Sequence, residues 1–172
     1  MAVVDVREAA RAAVEESRDR LLSLSHRIHA HPELGFEEVR ACAWLAEELD
    51  AAGLEVTVGV GDLPTAFVAE AGDGPLTIAV CAEYDALPEV GHACGHNVIA
   101  TAAVGAGLAL ARVAGDVGIR VRVIGTPAEE GGGGKILLLE RGLFDGAHAA
   151  MMVHPWPEDR LQATCLAVDH LE

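Results

Sequence analysis

The chain has 172 residues, of which 51% are hydrophobic but only 3% aromatic, and its formal net charge is −15. That length allows one domain with a proper core, and an apolar load carried by Ala, Val, Leu and Gly suits helices on a parallel sheet better than an aromatic-rich β-sandwich. So acidic a surface repels phosphate backbones, which argues against nucleic acid as a partner, and most of the charge reads as solvated helix surface.

Taken in order, residues 6–30 read as a helix, with Val14, Leu21, Leu22 and Ile28 at helical spacing, stopped by Pro32. Residues 37–52 read as a second amphipathic helix, closed by Gly53. Three strand-like runs follow at 54–60, 65–71 and 76–82, and the nearly all-apolar third is expected of a strand covered on both faces. A loop over 83–97 leads to a long Ala/Gly-rich helix, 98–113. Its apolar run ends at Arg112 and is too short and too Gly/Ala-rich to predict a bilayer span, so no membrane is expected. A strand at 119–125, a short helix at 135–141 and a strand-like run at 147–153 complete the pattern. The order strand, helix, strand, helix, strand predicts an α/β sheet with a substantial parallel component.

Four cysteines, Cys42, Cys81, Cys94 and Cys165, are widely spaced without a CxxC pair. A disulfide framework is not expected, and a reducing cytoplasm fits better. The first twenty residues carry Asp5, Arg7, Glu8, Arg11, Glu15 and Glu16 and no apolar stretch of the signal-peptide kind. Cys42 and Cys81 read as core, and His148 as packing within its strand. His26, His29 and His31 cluster at a helix end, where interaction with the C-terminal carbonyls is the simplest account. Cys165 and His170 have no evident partner.

Residues able to do chemistry gather at the carboxyl ends of the predicted strands. Glu83 and Asp85 follow the third run, Glu129 and Glu130 the fourth, and His154 the fifth. In open α/β sheets the ligand crevice lies beyond those ends. Within Gly91-His92-Ala93-Cys94-Gly95-His96-Asn97, a thiolate and an imidazole spaced C-x-H can turn to one ion, and Gly95 permits the turn. The start of the next helix is expected to favour the Cys94 thiolate. From this loop alone two readings stand: metal ligation, or a buried structural cysteine beside two surface histidines. The Glu129-Glu130 pair reads either as a solvated turn or as the two carboxylates a metallohydrolase needs, one on the metal and one taking a proton from the metal-bound water. Gly131–Gly134 with Lys135 does not make a phosphate loop, because Glu129 and Ile136 stand where Gly and Ser/Thr are required. A thiol redox role for Cys94 lacks a resolving cysteine at a useful spacing.

The segments HPELGFEE (31–38), AEYDALPEVGHACGHN (82–97), GTPAEEGGGGK (125–135) and MMVHP (151–155) occur in one order that resembles the metallo-aminoacylase and carboxypeptidase family, peptidase family M-twenty. Its amidohydrolase branch, with aminobenzoyl-glutamate hydrolases and β-alanyl-lysine type dipeptidases, is the most similar. The resemblance implies a three-layer αβα sandwich of zinc-exopeptidase type, seen here as the N-terminal part of the catalytic domain over residues 1–172. A dimerisation domain, the return to the catalytic domain and a late histidine would be absent. It implies metal-dependent hydrolysis of an amide bond in N-acyl amino acids or dipeptides, and a homodimer at full length. Two divalent metals in each complete protomer are implied, zinc or manganese, with cobalt also compatible. Carried over by position, Cys94 bridges the two metals, His96 and His154 complete the first site, and Glu130 binds the second. Glu129 is the general base, Asp85 orients the site from behind, and Glu83 stays behind the ligands. A fragment of this extent is expected to have little activity alone. The alternative is a non-catalytic metal-binding or interaction module on the same fold.

Overall fold

The computed structural model describes residues 5–159. Helices α1 (Val6–Glu16), α2 (Arg18–Ala30) and α3 (Val39–Ala51) come first. Asp5 caps α1 by accepting from the N–H groups of Arg7 and Glu8. The single helix expected over 6–30 is broken at Ser17. Its N–H closes the last turn of α1 on Val14 and its hydroxyl accepts from Arg20, the local competition by which serine interrupts helices. Helix α3 starts two residues later than its periodicity suggests. The Glu33 carboxylate, from outside the helix, accepts the N–H groups of Arg40 and Ala41, while Glu38 adopts a non-helical ψ of 48°.

The remaining elements are β1 (Glu55–Val58), a 3-10 turn (Val60–Asp62), β2 (Phe67–Ala71), β3 (Leu76–Ala82), α4 (His96–Val117), β4 (Ile119–Gly125), α5 (Gly134–Glu140) and β5 (Ala147–Met151). The run predicted over 54–60 ends early because Gly59 turns left-handed into the 3-10 turn. The five strands lie in the order β1-β2-β4-β3-β5. Strand β3 pairs in parallel with both β4 and β5, whereas β1, β2 and β4 pair antiparallel. The sheet is therefore mixed, and the three strands that carry chemistry form its parallel half.

Alternation along the strands divides the core in two. Val80, Ala82, Val121 and Val123 face α2, α3 and α4 in the larger cluster, with Leu24, Ile28, Leu45 and Leu49. Ala79 and Ile124 point to the other face, against Leu138 of α5. Helices thus lie on both faces, as a three-layer α/β arrangement requires. Helix α4, with 22 residues, is long and apolar enough by length and composition to cross a membrane, longer than the run read from sequence. Its apolarity has another explanation here: it packs against α1, α2, α3, β3 and β4, and 61% of its most apolar window is buried.

The β3–β5 pairing skips a residue. Thr77 stands opposite Ala147 and Ile78 opposite Ala149, so His148 is the extra residue of a bulge. The ring of His148 is exposed, and its Nδ1 accepts the Thr77 N–H at 3.0 Å. This corrects its reading as a packing residue. The strand also stops at Met151, two residues short of expectation, and leaves His154 on an irregular segment.

Candidate metal centre

The site forms beyond the carboxyl ends of β3, β4 and β5. Strand β3 runs into Glu83, Tyr84 and Asp85, all three buried, and β4 runs into the turn that carries Glu129 and Glu130. Residue His96, assigned to a loop by sequence, opens α4 and is wholly buried. Before it, Gly95 has φ +86°, and a Cβ there would meet the Pro155 ring at 2.9 Å. Only glycine suits both the left-handed backbone and that close approach. The contact brings the segment after β5 onto the Cys94 loop, with the Cys94 Sγ 3.5 Å from His154 Nε2.

Both imidazoles are fixed through Nδ1. That of His96 donates to the carbonyl and to Oδ1 of Asp85, each at 2.9 Å, and that of His154 to the Pro155 carbonyl at 2.7 Å. This tautomer leaves each Nε2 as a lone-pair donor facing the site, the usual arrangement behind a metal-ligating histidine. The Nε2 of His96 stands 3.6 Å from oxygens of Glu83, Glu129 and Glu130, too far for hydrogen bonds. It is buried without a hydrogen-bond partner, and so is Glu130 Oε1. Donor atoms of Cys94, His96 and His154 lie within 4.8 Å of one another, as do those of Glu83, His96 and Glu129. An orphaned imidazole nitrogen and carboxylate oxygen, with the Cys94 sulfur and His154 Nε2 beside each other at the same space, fit a divalent cation.

The Asp85 carboxylate joins the two halves of this arrangement: Oδ1 holds His96, and Oδ2 accepts the Glu130 N–H at 3.0 Å. Burial pushes its pKa up, but the bonds from His96 and from the Glu130 and Glu129 N–H groups outweigh it and leave the carboxyl below its usual range. Burial pulls His96 down, yet Asp85, Glu83 and Glu130 raise it overall. Glu129 is raised by burial, then by Glu83 and Glu130, with Lys135 and His96 opposing. The thiol of Cys94 is pushed up to about 12, first by burial and then by Glu130, Glu129 and Glu83. This corrects the expectation of a thiolate favoured by the helix start: burial, reinforced by the surrounding acids, outweighs it, so ionising Cys94 here calls for a cation.

All six residues singled out by sequence, Asp85, Cys94, His96, Glu129, Glu130 and His154, converge on this space. Three other residues, in or near the turns that carry it, take places that were not foreseen. Lys135 turns back onto Glu83 as an ion pair, so the glycine-rich run serves to return a lysine to the site and not to bind phosphate. Glu38 is completely buried and accepts the Ala128 N–H, although it reads from sequence as a polar position of an amphipathic helix. His92 is buried rather than a surface residue. All three lie in the segments that carry the family resemblance, which was the available signal. The Nδ1 of His31 lies 2.8 Å from the Arg27 carbonyl, in keeping with a helix-end role. Cys42 and Cys81 are buried and free, whereas Cys165 and His170 lie outside the described residues.

A crevice beyond parallel strands, lined by thiol, imidazole and carboxylate groups, makes this α/β chain a carrier of a candidate metal centre. The chain belongs to the family described as Peptidase family M20/M25/M40, whose model matches residues 79–167. Among curated proteins, a mouse Xaa-Arg dipeptidase is 45% identical over 161 residues, 85% of this chain and 37% of the relative. A p-aminobenzoyl-glutamate hydrolase chain of Escherichia coli is 39% identical over 83% of this chain and 34% of its own length. This chain therefore spans little more than a third of either relative. Among solved structures, a dinuclear metal binding peptidase of Bacillus subtilis superposes with a TM-score of 0.71 at 30% identity, covering 79% of this chain and 42% of that one. A putative aminohydrolase of Staphylococcus aureus gives 0.74 at 26% identity, covering 83% and 41%.

Proposed function

We propose that the protein acts in metal-dependent hydrolysis of an amide bond in dipeptides or N-acyl amino acids. The observation that supports this most is the pair of imidazoles with Nδ1 tied down, His96 Nε2 unpartnered and His154 Nε2 beside the Cys94 sulfur, at the same space as Glu129 and Glu130. In this reading Cys94, His96 and His154 hold one divalent ion, while Cys94 and Glu130 contribute to a second. When bound, the ions polarise the amide carbonyl and lower the pKa of water.

The chain's own residues then divide the remaining work. Glu129, partly open to solvent with its proton affinity raised by burial and by Glu83 and Glu130, takes the proton of the attacking water. It returns that proton to the departing nitrogen. Asp85 keeps the His96 ring in one orientation and ties it to the Glu130 backbone. Lys135 pairs with Oε1 of Glu83 and offsets its charge, while Oε2 stays beside His96 Nε2. The amino-acid amides named for the two relatives above make C-terminal-arginine dipeptides and p-aminobenzoyl-glutamate the first substrates to try.

The test joins elemental analysis to an assay of those amides with added zinc or manganese. Glu129→Gln is expected to retain metal and lose hydrolysis, and Cys94→Ser to lose metal by at least about 100-fold in affinity, the loss of a ligand exceeding that of a supporting contact. Turnover unchanged in Glu129→Gln would sink the assigned base. Equal metal in Cys94→Ser would sink the cluster, and bound metal with no amide cleaved would leave a metal-binding module instead.

A further inference from the structure

Residues 31–38 supply no ligand, yet they touch both turns that do. The Glu33 carbonyl accepts the Ala86 N–H at 2.8 Å, next to Asp85. Ninety residues away in sequence, Glu38 Oε1 accepts the Ala128 N–H at 2.8 Å, next to Glu129. Ala128 is left-handed, with φ +54°, a conformation an alanine holds only when its surroundings impose it. Its carbonyl is held too, by the N–H groups of Gly132 and Gly134. Close packing completes the grip. A Cβ at Gly35 would meet that of Ala128 at 2.9 Å, and one at Gly132 would meet the Phe36 ring at 2.4 Å.

Glu38 is an expensive way to secure one turn. It is fully buried, and among the described residues its Oε2 has no partner in hydrogen-bond geometry, the nearby Thr65 hydroxyl included. A buried carboxylate with one firm bond asks for a reason, and that bond falls one residue before the two site carboxylates.

We propose that segment 31–38 is a brace and that Glu38 is the positioning residue for Glu129 and Glu130, acting through the Ala128 backbone. The proposal rests on the metal-centre reading for what it positions, though not for the contact itself. Two measurements on the 172-residue chain separate these. Hydrogen exchange at the Ala128 amide is followed by NMR without metal, and cobalt(II) binding is followed by its ligand-field absorption. Glu38→Gln, which keeps the accepting oxygen at the same reach, is expected to retain Ala128 protection and to bind cobalt as wild type does. Glu38→Asp falls one methylene short, and Glu38→Leu has no acceptor. Both are expected to lose protection at Ala128, alter the cobalt spectrum and weaken cobalt affinity by about 10- to 100-fold. If the leucine variant does not fold, the aspartate variant carries the test. Unchanged Ala128 protection in Glu38→Asp overturns the proposal, as does unchanged cobalt affinity in a chain that binds cobalt. Should the wild-type chain bind no cobalt, the metal-centre reading fails, and Ala128 protection alone decides the role of Glu38.

Discussion

His96 is wholly buried at the first turn of α4 and bonded twice to Asp85, whereas His154 stands exposed beyond β5 and is held by one neighbouring carbonyl. Two ligands of the proposed metal centre are thus prepared differently. The inner one is set by folding, together with Glu130, through a single carboxylate. The outer one is brought in by the contact of Pro155 with Gly95. The difference teaches that half of this centre is part of the core, while the other half is docked onto it.

The contrast can be broken most directly in the metal-free chain. His96→Ala leaves the buried Asp85 without its main side-chain partner and is expected to cost about 3 kcal/mol in urea unfolding. His154→Ala is expected to stay within about 0.5 kcal/mol, as for other exposed changes. Equal costs would show that both donors are structural alike. Next in size, Gly95→Ala forces an alanine into left-handed backbone and against the Pro155 ring, with an expected loss of about 2 kcal/mol. If the docking reading is right, the loss of cobalt affinity in that variant matches that of His154→Ala.

The smallest effect sharpens the buried side alone. Burial raises the Glu38 pKa above its ordinary value, so the folded state keeps its proton to higher pH than the unfolded chain. That stability is fully present below the ordinary glutamate pKa of about 4.3 and is lost as pH rises through the folded value. Glu38→Gln has no such dependence, so its stability relative to wild type is expected to increase from acid to neutral pH. A flat difference in urea unfolding across that range would place the carboxyl in a more polar setting than described.

Sequence carried much of this. Strands β3 and β4 were legible to the residue, β3 as a nearly all-apolar run between Gly74-Pro75 and Glu83, and β4 as branched apolar residues interleaved with Arg120 and Arg122 between Gly118 and Thr126. That six side chains would meet was legible from two signals: strand order for Asp85, Glu129, Glu130 and His154, and the C-x-H loop with the family resemblance for Cys94 and His96. What escaped depends on partners distant in sequence. Glu38 looks like any helix-surface acid until Ala128 arrives ninety residues later, and Glu33 caps a helix it does not belong to. The protonation of Cys94 escaped for the same reason, since a nearby helix start is visible locally but burial and three converging acids are not. The break at Ser17 and the bulge at His148 are set by hydrogen bonds of their own side chains, on which periodicity is silent.

That bulge works as a length gauge. One extra residue in β5, its unpaired step closed by the His148 ring on Thr77, determines how far along the sheet the chain has travelled when it reaches His154. Removing it would draw everything downstream back by about 3.3 Å and turn each side chain to the opposite face. The imidazole would then miss the Cys94 sulfur altogether. Spacing between the inner and outer donors is therefore written in the β3–β5 register, so a change in cavity width would come from inserting or deleting strand residues rather than from exchanging ligands.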